Sequence, residues 1–311
     1  MHARYRRRAP HCRHGSGRAA QMRRRARPLL GTLVEIGVQS SMDDNAFNAL
    51  VQSAFARIEH IQRLMSFHDP LSELNQINQL QPGQTRAVSD DIAQVLVCAL
   101  HIERLSGGLF NPGVAPQLVR WGYIPQPAPG IPPCTALADM IDIHQQQVTK
   151  KSPGWIDLGG IAKGYAVDQA LLVLRDAFAR QSTSSGAVVN AGGDLAVYGL
   201  PGFPVLIRDP AEPGKPIGSL ELTDQALATS ACYYSQRQEA GLTLSALVEP
   251  MTLRAINTVQ SASVIAPTCM LADALTKVVM ASGHTQHPWM QALGAETLLL
   301  PEPPKDERPV S

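Results

Sequence analysis

The stretch WIDLGGIAKGYAVDQA, residues 155–170, constrains the fold more than any other part of this sequence. A short apolar run leads into Gly159 and Gly160, and a helical pattern begins directly afterwards at Ala162. Paired glycines permit positive φ and leave the backbone uncovered, and the apolar residues that follow repeat at the spacing of one helix face. The stretch therefore predicts the end of a strand, a bare glycine turn and an amphipathic helix.

Lys163 falls in the first turn of this predicted helix. Unpaired N–H groups and the positive end of the helix dipole favour an anion there, so a lysine is unfavourable unless a negative group binds. The position therefore indicates a phosphate or pyrophosphate site. The run G-G-x-x-x-G matches neither the dinucleotide-binding motif nor Walker A, and a plain structural turn is the alternative interpretation.

The rest of the sequence alternates short apolar runs with amphipathic helices, which favours an α+β fold over a regular βαβ series. We predict one domain over residues 28–300, with an irregular proline-rich segment at 125–134 and a possible subdomain boundary near 125–150. The predicted early elements are a strand over LLGTLVEIGV (29–38), a long helix opening at Asp43 and Asp44, a short helix capped by Ser72, and a helix from Ser89 to about 106.

Positive charge is concentrated at the N-terminal end of the chain. Residues 1–27 contain ten of the 27 Lys and Arg residues and no acid, which leaves 17 basic against 26 acidic residues elsewhere. A basic segment can bind nucleic acid or anionic lipid. No aromatic or helical pattern accompanies the charge, so we favour a disordered extension, or a true start at Met22, and expect no nucleic-acid partner. Residues 301–311 predict a second disordered tail.

No apolar run has the length of a membrane span, and no secretory signal follows the arginines. The five cysteines are scattered and form no CxxC motif, so they support neither a disulfide framework nor a zinc site. These features predict a cytoplasmic protein without an integral membrane segment. His68 is interpreted as a solvent-exposed loop residue.

Two later motifs carry acidic residues next to structural signals. In VNAGGDLAVYG, Asp194 follows two glycines inside a strand pattern, which indicates a bulge or a close backbone approach. In LADALTKVVMASG, Asp273 stands at a predicted helix start, with Lys277 one turn later on the same face. For that pair the alternative is a surface salt bridge, which contributes only about 0.3–0.5 kcal/mol.

Taken in chain order, these pieces resemble the FAD:protein FMN transferase (ApbE) family. The similar segments are LLGTLVEI, MSFHDPLSELNQIN, GGLFNPGVAPQLVRWGY, IDLGGIAKGYAVD, NAGGDLAVYG, ALATSACYY and ADALTKVVMASG, and they cover about residues 28–300. The resemblance implies a flavin transferase fold that binds FAD and Mg²⁺. It also implies that a Thr or Ser hydroxyl of an acceptor protein attacks the FMN phosphorus and expels AMP.

The resemblance assigns roles to individual residues. It implies that the Ala162 carbonyl and the Asp273 carboxylate bind the metal, both being hard oxygen donors, and that Ser72, Glu73 and Asn75 brace the site. The positions expected to contact FAD are Leu30, Gly31, Leu109, Phe110, Asn111, Gly159, Lys163, Tyr165 and Leu247.

This sequence departs from the family pattern near the chemistry. Lys277 stands where the family has a metal-binding threonine, and Thr276 points about 100° away around the helix. A protonated lysine repels a metal, so we hypothesise a weakened magnesium dependence or a tethered charge in place of the metal.

Two further departures concern the wall of the expected site. Ala246 replaces a family histidine, and the loss of a base there would cost about 10²–10⁴-fold in rate, unless Glu249 or Asp194 substitutes. Leu253 replaces a glycine, and Asn111 replaces an aspartate, which keeps hydrogen bonding but removes a charge. Binding of FAD without transfer, and hydrolysis of FAD to FMN and AMP, remain alternative functions.

Overall fold

The computed structural model describes residues 21–180, 185–233 and 235–300. Residues 1–20 and 301–311, for which the sequence predicts disorder, lie outside these ranges. The helices are α1 (Asp44–Met65), α2 (Glu73–Asn78), α3 (Asp90–Leu105), α4 (Ala115–Arg120), α5 (Leu137–Met140), α6 (Ala162–Phe178), α7 (Cys269–Ser282) and α8 (Pro288–Ala292), with a 3₁₀ turn at Pro112–Val114.

The strands in the described residues are mostly short. They are β1 (Arg23–Leu29), β2 (Thr32–Gln39), β3 (Thr85–Ala87), β4 (Ile141–His144), β5 (Gln147–Lys150), β6 (Gly186–Ala191), β7 (Asp194–Tyr198), β8 (Phe203–Arg208), β9 (Pro216–Leu222), β10 (Ala226–Ala231), β11 (Arg237–Glu239), β12 (Leu242–Leu244), β13 (Val248–Glu249), β14 (Arg254–Ala255), β15 (Ser261–Ala266) and β16 (Glu296–Leu300).

A seven-stranded sheet in the order β1-β2-β6-β7-β10-β15-β16 forms the centre of the fold. All its neighbouring strands are antiparallel. Helices α6 and α7 pack on one face, with α1 against α6, while the β8–β9 hairpin contributes to a second apolar cluster with residues of β6, β7, β10 and β15. Helices and antiparallel strands in these layers confirm the predicted α+β class.

Residues 23–27, which include four of the N-terminal arginines, lie in strand β1, so the prediction of a disordered segment over residues 1–27 is wrong for this part. Alternate residues of β1 face α1: the guanidinium carbons of Arg23 and Arg25 lie 4.4 and 4.9 Å from the ring centre of Phe47, and that of Arg27 lies 4.8 Å from the ring centre of Phe55. Cation–π contacts of this kind stabilise basic residues against an aromatic surface.

The predicted strand 29–38 is interrupted by a hairpin turn. Leu29 pairs with Thr32 across Leu30 and Gly31, which have φ values of 56° and 69°. Two consecutive residues with positive φ are typical of the tight turns that match the twist of antiparallel strands. The prediction failed because leucine is an uncommon residue in this conformation.

The segment before α6 is largely buried but is not a strand, contrary to the prediction. The Ile156 N–H donates to Asn78 Oδ1 at 2.8 Å, and Asn78 Nδ2 donates to the Ile156 carbonyl at 3.0 Å. An asparagine side chain thus satisfies the backbone groups that a neighbouring strand would otherwise pair. Gly159 and Gly160 do not have positive φ, so this part of the glycine interpretation is also wrong.

Helix boundaries follow the capping residues closely. The Asp43, Ser72 and Ser89 side chains accept N–H groups at the starts of α1, α2 and α3, which confirms these predicted helices. Helix α7 differs from the prediction because Thr268 caps it and it begins at Cys269. Asp273 therefore lies in the second turn of α7.

One large hydrophobic core draws residues from both sides of the irregular 125–134 segment, from Val34 in β2 to Ala295 before β16. Among the described helices, none combines the length and the apolar character needed to cross a bilayer. Cys98, Cys134, Cys232 and Cys269 form no disulfide.

The buried Lys150 leads to a prediction about stability. Its side chain is 1% exposed, and Nζ donates to the Gly154 carbonyl at 2.7 Å. Burial lowers the pKa of Lys150 to about 8 from 10.5. Between these values the unfolded chain binds a proton that the folded chain has lost, so this lysine makes stability rise with pH. We expect Lys150→Met to raise the free energy of unfolding at pH 7 by about 1–3 kcal/mol.

Urea unfolding at pH 7 and at pH 9.5 measures this effect. The difference in free energy of unfolding between Lys150→Met and the wild type should be smaller at pH 9.5 than at pH 7. Lys151→Met, at the exposed neighbouring position, serves as the control. Equal stability of Lys150→Met and the wild type at pH 7 would contradict the prediction.

Candidate functional site

A cavity of about 1140 Å³ opens at one end of the central sheet. Its walls come from the β1–β2 turn, the β6–β7 turn, the start of α6, the 3₁₀ turn, strands β8 and β10, residues 246–248 and Pro250. Ligand cavities usually measure roughly 300–1,000 Å³, so this one has room for a large ligand. Of the residues predicted to bind a ligand, it is lined by Leu30, Gly31, Leu109, Phe110, Asn111, Gly159, Lys163, Asp194, Leu247 and Lys277.

Lys163 lies in the first turn of α6 and faces this cavity. Ile161, the residue before the helix, provides no side-chain cap. The Lys163 ammonium forms an ion pair with Asp194, and its Nζ lies 3.6 Å from Asp273 Oδ2. The lysine that the sequence placed at a helix start thus contacts two acids from distant parts of the chain.

Asp194 is brought to Lys163 by the turn between β6 and β7. Gly192 and Gly193 form this turn with φ values of 67° and 111°, and a Cβ at Gly192 would lie 2.4 Å from Thr32 Oγ1. Glycine is required because the turn packs directly on β2. Asp194 is 3% exposed, and its Oδ1 accepts the Thr229 N–H at 3.4 Å.

Helix α7 supplies the other half of the charge cluster. Asp273 is fully buried and pairs with Lys277 one turn later, so this pair is not the surface salt bridge considered as an alternative. Thr276 is also fully buried, and its hydroxyl bonds Ser230 Oγ at 2.7 Å. The Lys277 Nζ lies 3.2 Å from Thr276 Oγ1 and faces the cavity.

The pKa values of these groups follow from burial and mutual charge. Burial opposes the charge on Lys163, but Asp273 and Asp194 outweigh it and raise the lysine pKa. Burial likewise opposes ionisation of Asp273, and Lys163 and Lys277 outweigh it, so the Asp273 pKa is lowered. Burial and the Asp273 charge raise the pKa of Asp194. Asp273 and Asp194 therefore keep Lys163 positively charged at neutral pH.

Helices α6 and α7 are fixed against each other where they carry these lysines. Gly164 packs so closely on α7 that a Cβ would lie 2.2 Å from the Cys269 carbonyl oxygen. The Asp168 carboxylate accepts the N–H groups of Cys269 and Met270 at 2.7 and 2.8 Å. Burial raises the pKa of Asp168 to about 6. Sequence reasoning missed Asp168. An acidic residue next to the apolar face of a predicted helix is the feature that could have indicated its buried position.

Three residues expected at the site do not line the cavity. The Tyr165 hydroxyl donates to Asp91 Oδ1 at 2.7 Å, the ring is buried, and the residue does not line the cavity. Glu249 accepts the N–H groups of Met251 and Thr252 at 3.0 and 2.6 Å. It therefore closes a turn outside the cavity lining. Ala162 is the first residue of α6 and does not line the cavity either.

Asp157 is a cavity residue that sequence reasoning missed. Its Oδ1 accepts the Gly159 N–H at 3.1 Å, and the residue lines the cavity wall. Burial raises the pKa of Asp157 against the lowering effects of the Gly159 N–H and His68. Ala246 is exposed on the same cavity, so the position of the family histidine carries no titratable group. His68 is exposed, as predicted.

The donor groups of the site determine whether it could hold a metal ion. Among residues 21–180, 185–233 and 235–300, no group of three or more His, Cys, Asp or Glu side chains could hold a metal ion. Both Asp273 oxygens are engaged, Oδ1 by Lys277 and Oδ2 by the Gly164 N–H at 3.1 Å. Mg²⁺ is usually anchored by one or two carboxylates and takes its other oxygen ligands from waters and substrate phosphates. Here an ammonium and a backbone N–H occupy the carboxylate that would anchor it.

Comparison with known proteins gives one consistent result. A family model described as the ApbE family matches residues 30–298. An FAD:protein FMN transferase of Vibrio cholerae is 28% identical over 243 residues, covering 73% of this chain and 71% of that protein. One of Rhodobacter capsulatus is 29% identical over 292 residues, covering 87% of this chain and 54% of that protein, so this chain spans about half of its length.

Solved structures have the same fold. The ApbE protein of Thermotoga maritima has a TM-score of 0.76 at 24% identity and covers 90% of this chain and 94% of its own. The flavin transferase ApbE of Vibrio cholerae has a TM-score of 0.72 at 25% identity and covers 90% of this chain and 93% of its own. Both matches agree with the architecture described above.

Proposed function

The chain belongs to the ApbE family, and from that premise we propose that it transfers FMN from FAD to a threonine or serine hydroxyl of an acceptor protein, with release of AMP. The observation that carries this proposal is the pair of lysines at one cavity, Lys163 at the start of α6 and Lys277 on α7. Phosphoryl transfer depends mainly on positioning and on neutralising the charge of the phosphate oxygens. Two ammonium groups beside an open helix start suit a diphosphate.

The reaction forms one P–O bond and breaks another. The acceptor hydroxyl oxygen attacks the FMN phosphorus, and the bond from that phosphorus to the bridging oxygen breaks, so the electron pair leaves with AMP. Lys163 and Lys277 stabilise the charge on the phosphate oxygens throughout. The hydroxyl proton requires a base, and the two acids first considered are unsuitable because Asp194 is paired with Lys163 and Glu249 closes a turn.

Asp157 is the better candidate for this base. It lines the cavity, accepts a single N–H, and has a raised pKa, which increases its strength as a base. We expect Asp157→Asn to lower the transfer rate by about 10²-fold and to change FAD affinity by less than about twofold. The wild-type rate should rise with pH through the pKa of Asp157, and the variant should lose this limb of the profile. An unchanged pH profile in Asp157→Asn would contradict the assignment.

The proposed function is tested by incubating the purified full chain with FAD and a threonine-bearing acceptor polypeptide, and by measuring flavin fluorescence and mass of the denatured acceptor. Covalent FMN on the acceptor, with one AMP released per FMN, is the expected result. Free FMN and AMP without acceptor labelling would instead support hydrolysis. Tight FAD binding without either product would support a binding protein.

A further inference from the structure

Four charged side chains form a closed network at the end of the cavity. Asp194 and Asp273 are 3% and 0% exposed, whereas the Lys163 and Lys277 side chains retain 33% and 18% exposure. Every carboxylate oxygen has a donor: Asp273 Oδ1 from Lys277, Asp273 Oδ2 from Gly164 N–H, Asp194 Oδ2 from Lys163 and Asp194 Oδ1 from Thr229 N–H. The two acids and two lysines balance in charge.

This network competes with a divalent cation for the same oxygens. A metal that bound Asp273 would have to displace the Lys277 ammonium from a fully buried carboxylate, and it would then stand beside two positive groups. Uncompensated charge in a buried site is costly. The residues therefore do not fit a resident magnesium ion, in agreement with the donor groups described above.

The Lys277 ammonium is itself placed as a fixed cation. Its side chain passes Gly160, where a Cβ would lie 3.4 Å from Lys277 Cε, so the glycine leaves room for the lysine stem. Asp273 Oδ1 and Thr276 Oγ1 take two of its N–H donors. An ammonium has three donors, so one remains for the cavity that Lys277 lines.

We propose that Lys277, tethered to Asp273, replaces the divalent cation beside the diphosphate of FAD, so that this chain binds FAD and transfers FMN without a metal. This inference rests on the proposed function. In the balance of the reaction, Lys277 donates a hydrogen bond to a phosphate oxygen and keeps its proton. Lys163, which lies near the other carboxylate oxygen of Asp273, neutralises further charge on the phosphates.

The first test uses the wild-type full chain and needs no variant. FAD is titrated into the protein in EDTA and in millimolar Mg²⁺, and binding is followed by quenching of flavin fluorescence. We expect the two dissociation constants to agree within about twofold and transfer to proceed in EDTA. An affinity at least about tenfold weaker in EDTA, or transfer only with Mg²⁺, would overturn the inference.

The second test restores an oxygen ligand in place of the lysine. We expect Lys277→Thr to bind FAD about tenfold or more weakly in EDTA and to recover affinity when Mg²⁺ is added. Lys277→Met should lose affinity without recovery, and the exposed Lys215→Met should behave like the wild type. A Lys277→Thr protein that binds FAD equally well with and without Mg²⁺, at the wild-type affinity, would count against the role of the ammonium.

The outcomes separate this inference from the proposed function. If no condition gives FAD binding, the proposed function itself fails. If FAD binds and FMN is transferred only in the presence of Mg²⁺, the proposed function stands and the tethered cation is rejected. Circular dichroism of each variant shows whether a lost affinity reflects the site or the fold, and the wild-type titration decides the question if a variant does not fold.

Discussion

Replacing Lys163 by methionine is expected to lower the rate of flavin transfer by about 10²–10³-fold, because preorganised charge at developing oxyanions is usually the largest catalytic contribution. Lys163 contacts both buried acids and lines the cavity. Its loss would leave Asp194 without a cation and would direct negative charge towards the phosphates. Rates of acceptor labelling at saturating FAD, together with FAD dissociation constants, measure the effect.

A charge-retaining variant distinguishes the chemical role of Lys163 from its packing role. Lys163→Arg keeps the positive charge on a longer planar group, so it should retain more activity than Lys163→Met and bind FAD more tightly. Lys151→Met, an exposed lysine outside the cavity, should transfer at the wild-type rate. Equal loss in the Arg and Met variants would assign Lys163 to packing rather than to charge.

Replacing Asp273 by asparagine is expected to lower the free energy of unfolding by about 3–5 kcal/mol, because it removes one partner of a buried ion-pair network. Asp273 is fully buried and contacts Lys163, Lys277 and the Gly164 N–H. The variant would leave two cations facing one remaining acid. Urea unfolding monitored by far-UV circular dichroism gives the change directly.

A double variant tests whether this cost comes from the ion pair. If it does, Lys277→Met added to Asp273→Asn should recover part of the lost stability, since the second change removes the unpaired cation. Lys277→Met alone should lower the free energy of unfolding by less than Asp273→Asn does. Additive losses in the double variant would show that Asp273 acts through packing or through Gly164 instead.

Local signals in the sequence predicted the capped helices and the position of Lys163 at a helix start. Capping residues such as Ser72 and Ser89 act within one helical turn, so their effect can be predicted without knowledge of the tertiary structure. The position of Lys163 in the first turn of α6 can be predicted for the same reason. The sequence does not predict the ion pair between Lys163 and Asp194, because the two residues are 31 positions apart. The turn between β6 and β7 places Asp194 beside Lys163. Such contacts depend on how the sheet is ordered.

Two of the errors share one physical origin. The segment at Ile156 has the composition of a strand, but Asn78 satisfies its backbone. Tyr165 follows the glycine motif closely, yet its hydroxyl bonds Asp91 on α3. In both cases one long-range hydrogen bond decided the outcome, and no local pattern could reveal it.

The arginine contacts of β1 determine how far the chain can be shortened for experiments. A version starting at residue 28 would lack the arginine side chains that pack on Phe47 and Phe55, which are 0% and 1% exposed. It would also make β2 an edge strand with unpaired backbone N–H and C=O groups. Solvent-exposed aromatic rings and an unpaired edge strand promote self-association. Preparations meant for flavin assays should therefore begin no later than Met22.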